Sequence, residues 1–179
     1  MSRRRARSTR ARVSLVATAI TCLGLGVPGC GSGPAPVDCG GCGPCSATVA
    51  RVVDGDTIEL GDGNKVRYLL VDAPETTKGK SDCYGFEAAA FNTQSVSGMA
   101  VNLAYDPSQC RDVFGRLLAY VSVDGREVNS LLVERGYACV LFLPPAGTSR
   151  EVEFKTLQAS AKAGKAGVWG SCTPVTCAQ

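Results

Sequence analysis

Apolar and polar residues alternate in several short stretches from residue 47 onward, and alternation with a period of two is the pattern of half-buried β-strands. Turn dipeptides such as Asp54-Gly55 and Asp124-Gly125 separate neighbouring stretches, which predicts strands joined in series by hairpin turns. The predicted strands are Ala47–Val53, Thr57–Leu60, Lys65–Val71, Ala100–Tyr105, Gly115–Val123 and a last one at Tyr137–Leu143.

Three further stretches have the spacing of amphipathic helices. Gly98 and Gly136 directly follow the first two, and glycine commonly ends a helix. Thr148 or Ser149 is placed to cap the third. The predicted helices are Tyr84–Ser97, Val128–Arg135 and Arg150 to about Ala163.

The order of these elements predicts the fold class. Periodicity alone reaches only an α+β fold with a mostly antiparallel sheet. The first five of these strands in a meander-like order, with one helix between the third and fourth strands and two further helices, are the arrangement of an OB-type barrel. We therefore expect an α+β fold: a five-stranded OB-type β-barrel with three covering α-helices.

The first 29 residues have the composition of an export signal. Six arginines precede an apolar run from Val13 to Val27, as in the first two regions of a signal peptide. Pro28-Gly29-Cys30 resembles the lipobox of bacterial lipoproteins, which implies an acylated Cys30 and a lipid anchor in the membrane. The alternative is an ordinary secretory peptide cut nearby, with Cys30 in a disulfide. Either way we expect an exported protein, a cell-envelope lipoprotein or a secreted one.

The same leader carries the excess of positive charge. The whole chain has 19 basic and 16 acidic residues, a net of +3. Six of the basic residues are leader arginines, so the rest of the chain has 13 basic and 16 acidic residues and a net charge of −3. A general positive field is therefore excluded as the means of attracting a polyanion. A local cluster and a bound cation would have to hold it.

Ten cysteines fit an exported protein, in which disulfides form and persist. Without Cys22 and Cys30 eight are left, and this even number predicts disulfides. The spacing Cys39-x-x-Cys42-x-x-Cys45 is also compatible with zinc or an iron–sulfur cluster. It lies in a Gly/Pro-rich tether of a chain without histidine, which disfavours a metal there. The predicted organisation is a signal peptide at 1–29, a Gly/Pro/Cys-rich tether at 30–45, the barrel domain at 46–171 and a Cys-containing tail at 172–179.

The candidate chemistry lies where the third predicted strand stops. Asp72-Ala73-Pro74-Glu75 places two carboxylates there, and Pro74 cannot continue the pairing of a strand. Asp54-Gly55-Asp56-Thr57 brings more acid to another strand break. Arg67 and Asp72 lie on opposite faces of the strand, so they can meet only if the backbone bends near Asp72. Solvated turns are the simpler explanation, but exposed ion pairs contribute only about 0–1 kcal/mol, a weak reason to gather acids and arginines at strand ends.

Several short motifs follow one another in order along the chain. They are Asp54-Gly55-Asp56-Thr57, Arg67 with Asp72-Ala73-Pro74-Glu75-Thr76, Tyr84-Gly85-x-Glu87-Ala88, Asp112-x-Phe114-Gly115-Arg116, Asn129-x-x-Leu132-Val133-x-x-Gly136 and Gly167-Val168-Trp169. Together they resemble the thermonuclease (staphylococcal nuclease) family over about residues 47–169. A single motif of this kind is weak, but the ordered series is specific.

The resemblance implies a Ca²⁺-dependent nuclease, a phosphodiesterase that acts on DNA and RNA and leaves 3′-phosphates. The metal ligands of the family correspond to the carboxylates of Asp56 and Asp72 and to the main-chain carbonyl of Ala73. Oxygen ligands suit a hard cation such as Ca²⁺. Ala73 replaces a threonine that is frequent in the family. This substitution is tolerated if the ligand is the main-chain carbonyl, because the side chain then does not bind the metal.

The catalytic residues of the family correspond to Arg67, Glu75 and Arg116. The two arginines would present planar, always-charged forks to phosphate oxygens. Glu75 would orient or deprotonate the attacking water, and general-base assistance contributes only about 10²–10⁴-fold. Charge stabilisation by the arginines and the cation must therefore supply the rest.

Two phenylalanines are the candidates for contacts with the nucleotide. The resemblance places Phe114 and Phe142 at positions where the family has tyrosines, and their rings can still stack on bases. The phenolic hydrogen bonds are lost, and Val113 replaces a basic residue, so we expect retained catalysis with weaker nucleotide binding. An ordinary core position is the alternative for Phe142.

The family framework also suggests disulfide partners. Cys83 and Cys110 both flank the proposed site in that framework, so we expect them to pair. Cys139 with Cys172 is a further suggested pair, and the other partners are left open. We expect a monomer that binds nucleic acid as its substrate.

A hypothesis from a different class is a catalytically weak binding module that holds nucleic acid or protein at the cell envelope. Nuclease-like domains that have lost their site residues serve as scaffolds. In this chain both metal-binding acids and both arginines are present, which favours the enzyme.

Overall fold

The structure of the chain is a computed structural model that describes residues 39–77 and 79–177. The predicted signal peptide, the acylation site Cys30 and the first part of the tether lie outside the described residues. No helix within these two ranges is both long enough and apolar enough to cross a membrane.

A closed barrel forms the centre of the fold. Antiparallel pairings give the strand order β3-β2-β1-β4-β5, and β3 then pairs in parallel with β5, which closes the sheet on itself. The two residues of β6 only lengthen the hairpin after β5. The strands are β1 (Ser46–Val52), β2 (Thr57–Leu60), β3 (Lys65–Tyr68), β4 (Ala100–Tyr105), β5 (Leu117–Val123) and β6 (Arg126–Glu127).

Three α-helices accompany the barrel, and two short turns of helix complete the described elements. The helices are α1 (Gly85–Val96), α2 (Val128–Glu134) and α3 (Glu151–Ala163), with a 3₁₀ turn at Thr148–Arg150 and the single-turn α4 (Val168–Ser171). The prediction of an α+β fold with a five-stranded OB-type barrel and three α-helices is confirmed.

The barrel interior holds the core. β4 buries every second residue, as its alternation predicts, whereas β5 buries all but one because it pairs with both β3 and β4 and packs against α2. The fully buried Asn129 of α2 donates to the carbonyls of Leu69 and Ala119 at 3.0 and 3.1 Å and accepts from the Val121 amide at 2.9 Å. A buried amide with all these partners stabilises the chain just beyond β3.

The chain bends earlier than the sequence predicts. β3 ends at Tyr68, and Leu70 has a φ of 60°, in the left-handed region that branched and bulky residues rarely adopt. Leu70 is buried, and an added Cβ at Gly147 would lie 2.8 Å from its side chain, so close packing accompanies this conformation. The bend turns Asp72 back toward Arg67, which a strand continued to Val71 would not allow.

The prediction of a last strand at Tyr137–Leu143 is wrong. This segment makes one isolated bridge, in which Asp72 and Cys139 exchange two main-chain hydrogen bonds of 2.9 Å. The next amide, that of Val140, donates to the side chain of Gln158 at 2.7 Å instead of extending a ladder. A helix side chain therefore takes the place of a neighbouring strand.

Four disulfides occur among the described residues, and they differ from the suggested pairs. Neither Cys83–Cys110 nor Cys139–Cys172 forms. Cys83 lies beside α4, where its Sγ is 3.8 Å from the carbonyl of Ser171, and therefore faces Cys172. The observed pairs are Cys39–Cys45, Cys42–Cys110, Cys83–Cys172 and Cys139–Cys177.

The end of the predicted tether is attached to the barrel. The amides of Leu103 and Tyr105 in β4 donate to the carbonyls of Cys45 and Cys39, both at 2.8 Å. The thiols of Cys39, Cys42 and Cys45 are all in disulfides, which excludes the alternative of zinc or an iron–sulfur cluster at this triplet.

Candidate active site

Arg67 is the last residue but one of the barrel strand β3, and it forms ion pairs with both Asp56 and Asp72. Its guanidinium lies 3.0 Å from Asp56 Oδ2 and 2.9 Å from Asp72 Oδ1, and it also donates to the Val71 carbonyl. The Arg67 and Asp56 side chains are only 12% and 8% exposed, so this ion pair is shielded from water, whereas Asp72 is 28% exposed. The pairing of β2 with β3 places Asp56 beside Arg67, and the bend at Leu70 brings Asp72 to the same guanidinium.

Asp56 connects the start of β2 to the segment after β3. Its Oδ2 accepts a hydrogen bond of 2.7 Å from the amide of Ala73, and its Oδ1 accepts one of 3.0 Å from Thr57 Oγ1. Burial raises the pKa of Asp56 to about 7, although Arg67 acts in the opposite direction. An added Cβ at Gly55 would lie 2.5 Å from Ala73 Cβ, so only glycine allows this close approach.

Glu75 is held by its own loop. Its Oε1 accepts hydrogen bonds from the amides of Thr76 and Thr77 and from Thr77 Oγ1, at 2.6–3.0 Å. Partial burial raises the pKa of Glu75, but the hydrogen bonds from Thr77 and Thr76 and the nearby Lys80 outweigh it, so the pKa lies below its usual value. The carboxylate is therefore ionised at neutral pH.

Arg116 is positioned by a tight turn. Asp112 accepts from the amides of Phe114 and Arg116 through Oδ1, at 2.9 and 3.0 Å, and from Arg116 Nε through Oδ2 at 2.7 Å. Gly115 has a φ of 78°, which a glycine adopts without strain. Within the described part of the chain, the Arg116 guanidinium donates only through Nε, to Asp112. Its terminal nitrogens are left for another anion.

These residues line one cavity of about 260 Å³ at the end of the barrel. Its wall combines acids from two chain breaks with an arginine in β3 and another just before β5, so the polar groups converge although they are up to 62 positions apart in the sequence. Phe114 also lines it and is 80% exposed. The lining residues are Asp54, Asp56, Arg67, Asp72, Ala73, Pro74, Glu75, Phe114 and Arg116.

A neighbouring cavity of about 290 Å³ shares Arg67, Phe114 and Arg116 with the first. The rest of its lining is mainly apolar and includes Leu141 and Leu143. Phe142 lines neither cavity; it is partly buried and packs against the barrel core. The structure thus brings Phe114, but not Phe142, to the polar site.

Two positioning residues were missed by reasoning from the sequence. Asp112 orients Arg116, and its position four residues before the arginine, at the start of a turn with glycine, was an available signal. Thr77 supplies two of the hydrogen bonds to Glu75, and nothing in the local pattern indicated this.

The cavity offers carboxylate oxygens as donors to a cation. Among residues 39–77 and 79–177, no group of three or more acidic, cysteine or histidine side chains converges at metal-binding spacing. Asp56 and Asp72 supply carboxylate oxygens to the same cavity, and hard oxygen donors suit Ca²⁺. The residues fit Ca²⁺ if main-chain oxygen, water and substrate oxygens supply the other ligands.

The fold and this site define a small OB-barrel protein in which acids and arginines surround one cavity of about 260 Å³. The family model described as staphylococcal nuclease homologue matches residues 65–171, more than half of the chain. The chain belongs to the staphylococcal nuclease family.

Individual relatives agree with this assignment. The chain is 38% identical over 136 residues to endonuclease YncB of Bacillus subtilis (strain 168), covering 73% of this chain and 64% of the relative. It is 40% identical over 134 residues to the SPbeta prophage-derived endonuclease YokF of the same organism, covering 72% and 45%. With the thermonuclease of Staphylococcus hyicus it shares 34% identity over 128 residues, covering 69% and 75%. The chain thus spans about half to two thirds of the length of the two Bacillus relatives.

Proposed function

We propose that this protein is a Ca²⁺-dependent nuclease, a phosphodiester hydrolase that cleaves DNA and RNA and leaves 3′-phosphates. The observation that carries the proposal is the shared cavity, in which Arg67, Glu75 and Arg116 face the same space as Asp56 and Asp72. A phosphodiester needs cationic donors for its oxygens and an acceptor for the proton of the attacking water, and this cavity holds both.

The two arginines are suited to different parts of the reaction. Arg67 is held by two acids, so its guanidinium cannot swing away and is organised before the substrate arrives. Arg116 is held along its Nε edge by Asp112 and offers its terminal nitrogens to the phosphate. Both would stabilise negative charge that grows on the phosphoryl oxygens during the displacement.

Glu75 would act on the attacking water. Its lowered pKa keeps it ionised, so it can accept a hydrogen bond from that water. The three hydrogen bonds that hold Oε1 leave Oε2 as the oxygen we assign to the water. A base with a low pKa orients the water well but removes its proton weakly, so most of the rate must come from the arginines and the cation.

The two acids that pair with Arg67 would hold Ca²⁺. We assign the carboxylates of Asp56 and Asp72 and the carbonyl of Ala73 as its protein ligands. When bound, the cation would polarise the phosphoryl group and offset the negative charge of the site. The raised pKa of Asp56 supports this assignment, because Arg67 alone does not compensate for burying the carboxylate.

We assign Phe114 to the substrate, as a stacking platform for a base beside the scissile phosphate. Phe142 was proposed for the same role from the family resemblance. Phe142 lines neither cavity and packs against the barrel core, so any role in substrate binding would be indirect.

Digestion of plasmid DNA and of RNA by the purified domain tests the proposal. We expect degradation with Ca²⁺, none with EGTA, and 3′-phosphate ends on the products. Glu75→Gln keeps the shape of the side chain and should lose most turnover. Absence of hydrolysis with Ca²⁺, or equal hydrolysis with EGTA, would contradict the proposal and favour the binding module.

We also propose that the protein is exported, through a signal peptide at residues 1–29, and that it is a monomer, with Cys30 either acylated in a cell-envelope lipoprotein or free of lipid in a secreted one. The support is the composition of the leader and the cysteine content. Metabolic labelling with a fatty acid, compared between wild type and Cys30→Ala, separates the lipoprotein from the secreted form. Light scattering on the purified domain measures the oligomeric state.

A further inference from the structure

The segment 172–177 lies just after the part of the chain that matches the family. Both of its cysteines are in disulfides, Cys172 with Cys83 and Cys177 with Cys139. We call this segment with its two disulfides the C-terminal brace. Cys139, Cys172 and Cys177 are buried together with Val168 in a small apolar cluster separate from the barrel core.

One disulfide of the brace ends at the residue that holds Asp72. Cys139 exchanges two main-chain hydrogen bonds with Asp72, each of 2.9 Å. Among the described residues, this is the only β-bridge that the segment 137–143 makes. The pair Cys139–Cys177 is therefore attached directly to the backbone of a cavity acid.

The other disulfide ends next to the residue that holds Glu75. The Asp82 amide donates to the Glu75 carbonyl at 2.9 Å, and the Glu75 amide donates to Asp82 Oδ2 at 3.2 Å. The Asp82 carbonyl also accepts from the amide of Gly85, at the start of α1, at 3.0 Å. Cys83 follows Asp82 directly, so its bond to Cys172 restrains the residue that holds the Glu75 backbone.

We propose that the C-terminal brace positions Glu75 and Asp72, and that its four cysteines and Asp82 are positioning residues of the active site. Among the described residues, no strand pairs with the loop that carries Glu75, and the segment that carries Cys139 does not form one either. The brace replaces that missing sheet support with covalent bonds. The expected effect of the brace on kcat rests on the proposed function, whereas its expected effect on hydrogen–deuterium exchange does not.

The other two disulfides provide the contrast. Cys39–Cys45 closes a short loop against β4, and neither of its cysteines lines the active-site cavity. Its removal is therefore a matched control, which deletes one disulfide without touching the brace. Cys42–Cys110 is less suitable as a control because Cys110 lies two residues before Asp112, which orients Arg116.

The experiment compares the double variants Cys83→Ala/Cys172→Ala and Cys139→Ala/Cys177→Ala with the control Cys39→Ala/Cys45→Ala. Activity is measured well below the lowest melting temperature of the set. We expect kcat to fall about tenfold in both brace variants, with KM within about twofold of wild type, because displacement of a reacting group by a fraction of an ångström has effects of this size. The control should keep the wild-type kcat.

Hydrogen–deuterium exchange gives a readout that does not depend on activity. Peptides that span residues 74–85 should exchange faster in Cys83→Ala/Cys172→Ala, since the Asp82 and Glu75 amides lose their partners, while peptides from β4 and β5 keep their protection. Asp82→Ala, with the disulfide intact, should give the same local exchange and loss of kcat, and Asp82→Asn should restore part of both. Combining Asp82→Ala with Cys83→Ala/Cys172→Ala should change exchange and kcat little further, because both changes act through the contacts between Asp82 and Glu75.

The outcomes separate the two proposals. If the wild type does not hydrolyse nucleic acid with Ca²⁺, the proposed function fails, and exchange still decides whether the brace restrains residues 74–85. If the wild type is active and the brace variants keep both its kcat and its protection at 74–85, the brace does not position the site. An equal loss of kcat in the control would mean general destabilisation and would also overturn the inference. If a double variant does not fold, Asp82→Ala against Asp82→Asn carries the test.

Discussion

The two sides of the candidate active-site cavity are built in different ways. On one side Arg67 emerges from a barrel strand, is 12% exposed and pairs with two acids. On the other side Arg116 follows a tight turn, is 27% exposed and pairs with one acid, next to a Phe114 that is 80% exposed. The charges of the first side therefore also stabilise the fold, because Arg67 and Asp56 are largely buried and both acids depend on the same guanidinium. The second side can change without disturbing the barrel.

The largest effect is expected on the first side. Arg67→Ala leaves Asp56 and Asp72 without their shared partner, and loss of one member of a buried ion pair costs about 3–5 kcal/mol. We expect both the free energy of unfolding and kcat to fall sharply, as measured by urea titration and by Ca²⁺-dependent hydrolysis. Arg67→Lys keeps the charge but not the fork, and should recover stability more than activity. A wild-type free energy of unfolding in Arg67→Ala would show that the two ion pairs are not structural.

Arg116→Ala should separate activity from stability. Loss of one preorganised donor typically lowers kcat by about 10²–10³-fold. A partly exposed ion pair contributes only about 0–1 kcal/mol, so the melting temperature should stay close to that of wild type. A large fall in the melting temperature would instead mean that Arg116 holds the turn that begins at Asp112.

Phe114→Ala tests the exposed platform of the second side. Base stacking on an aromatic ring is worth about 1–3 kcal/mol, so KM for nucleic acid should rise about tenfold with little change in kcat. Phe142→Ala is the matched control, because Phe142 packs against the core and lines neither cavity. It should lower the melting temperature and leave KM unchanged; the opposite pattern would assign the nucleotide to Phe142.

The smallest effect is expected at the loop of Glu75. Thr77→Val removes the hydroxyl donor but keeps the shape and the main-chain amide, and one hydrogen bond is worth about 1 kcal/mol, or about fivefold in kcat. Thr76→Val is the control, because only the amide of Thr76 contacts the carboxylate. Equal kcat values for the two variants would show that the Thr77 hydroxyl does not position Glu75.

Local patterns were enough for much of the barrel. β2, β4 and the helices appeared within a few residues of their predicted bounds, because a strand or helix with one buried face repeats apolar residues at its own period. The orientation of α1 was harder to foresee. The apolar Phe86 is 64% exposed, while the buried face carries the polar Asn92. Asn92 accepts from Tyr68 Oη and donates to the Asp54 carbonyl, partners that only the folded barrel supplies.

The candidate site was likewise predictable from the sequence in its residues but not in its geometry. Short motifs identified Asp56, Arg67, Asp72, Glu75 and Arg116 as candidates, and all five line one cavity. The sequence could not show how Arg67 reaches Asp72, since their alternation places them on opposite faces. The positive φ at Leu70 resolves this, and it accompanies packing against Gly147, 77 positions away along the chain.

The sequence by itself determined the family, the fold class and the residues that carry the candidate chemistry, because these depend on motifs and periodicities within short stretches. Only the tertiary structure decided the closure of the barrel by β3 and β5, the absence of a strand at residues 137–143 and the partners of the cysteines. Pairing of this kind depends on which distant segments meet, and a cysteine or a strand edge carries no local mark of its partner. The C-terminal brace belongs to this second group: its cysteines are visible in the sequence, and their attachment to Glu75 and Asp72 exists only in the folded chain.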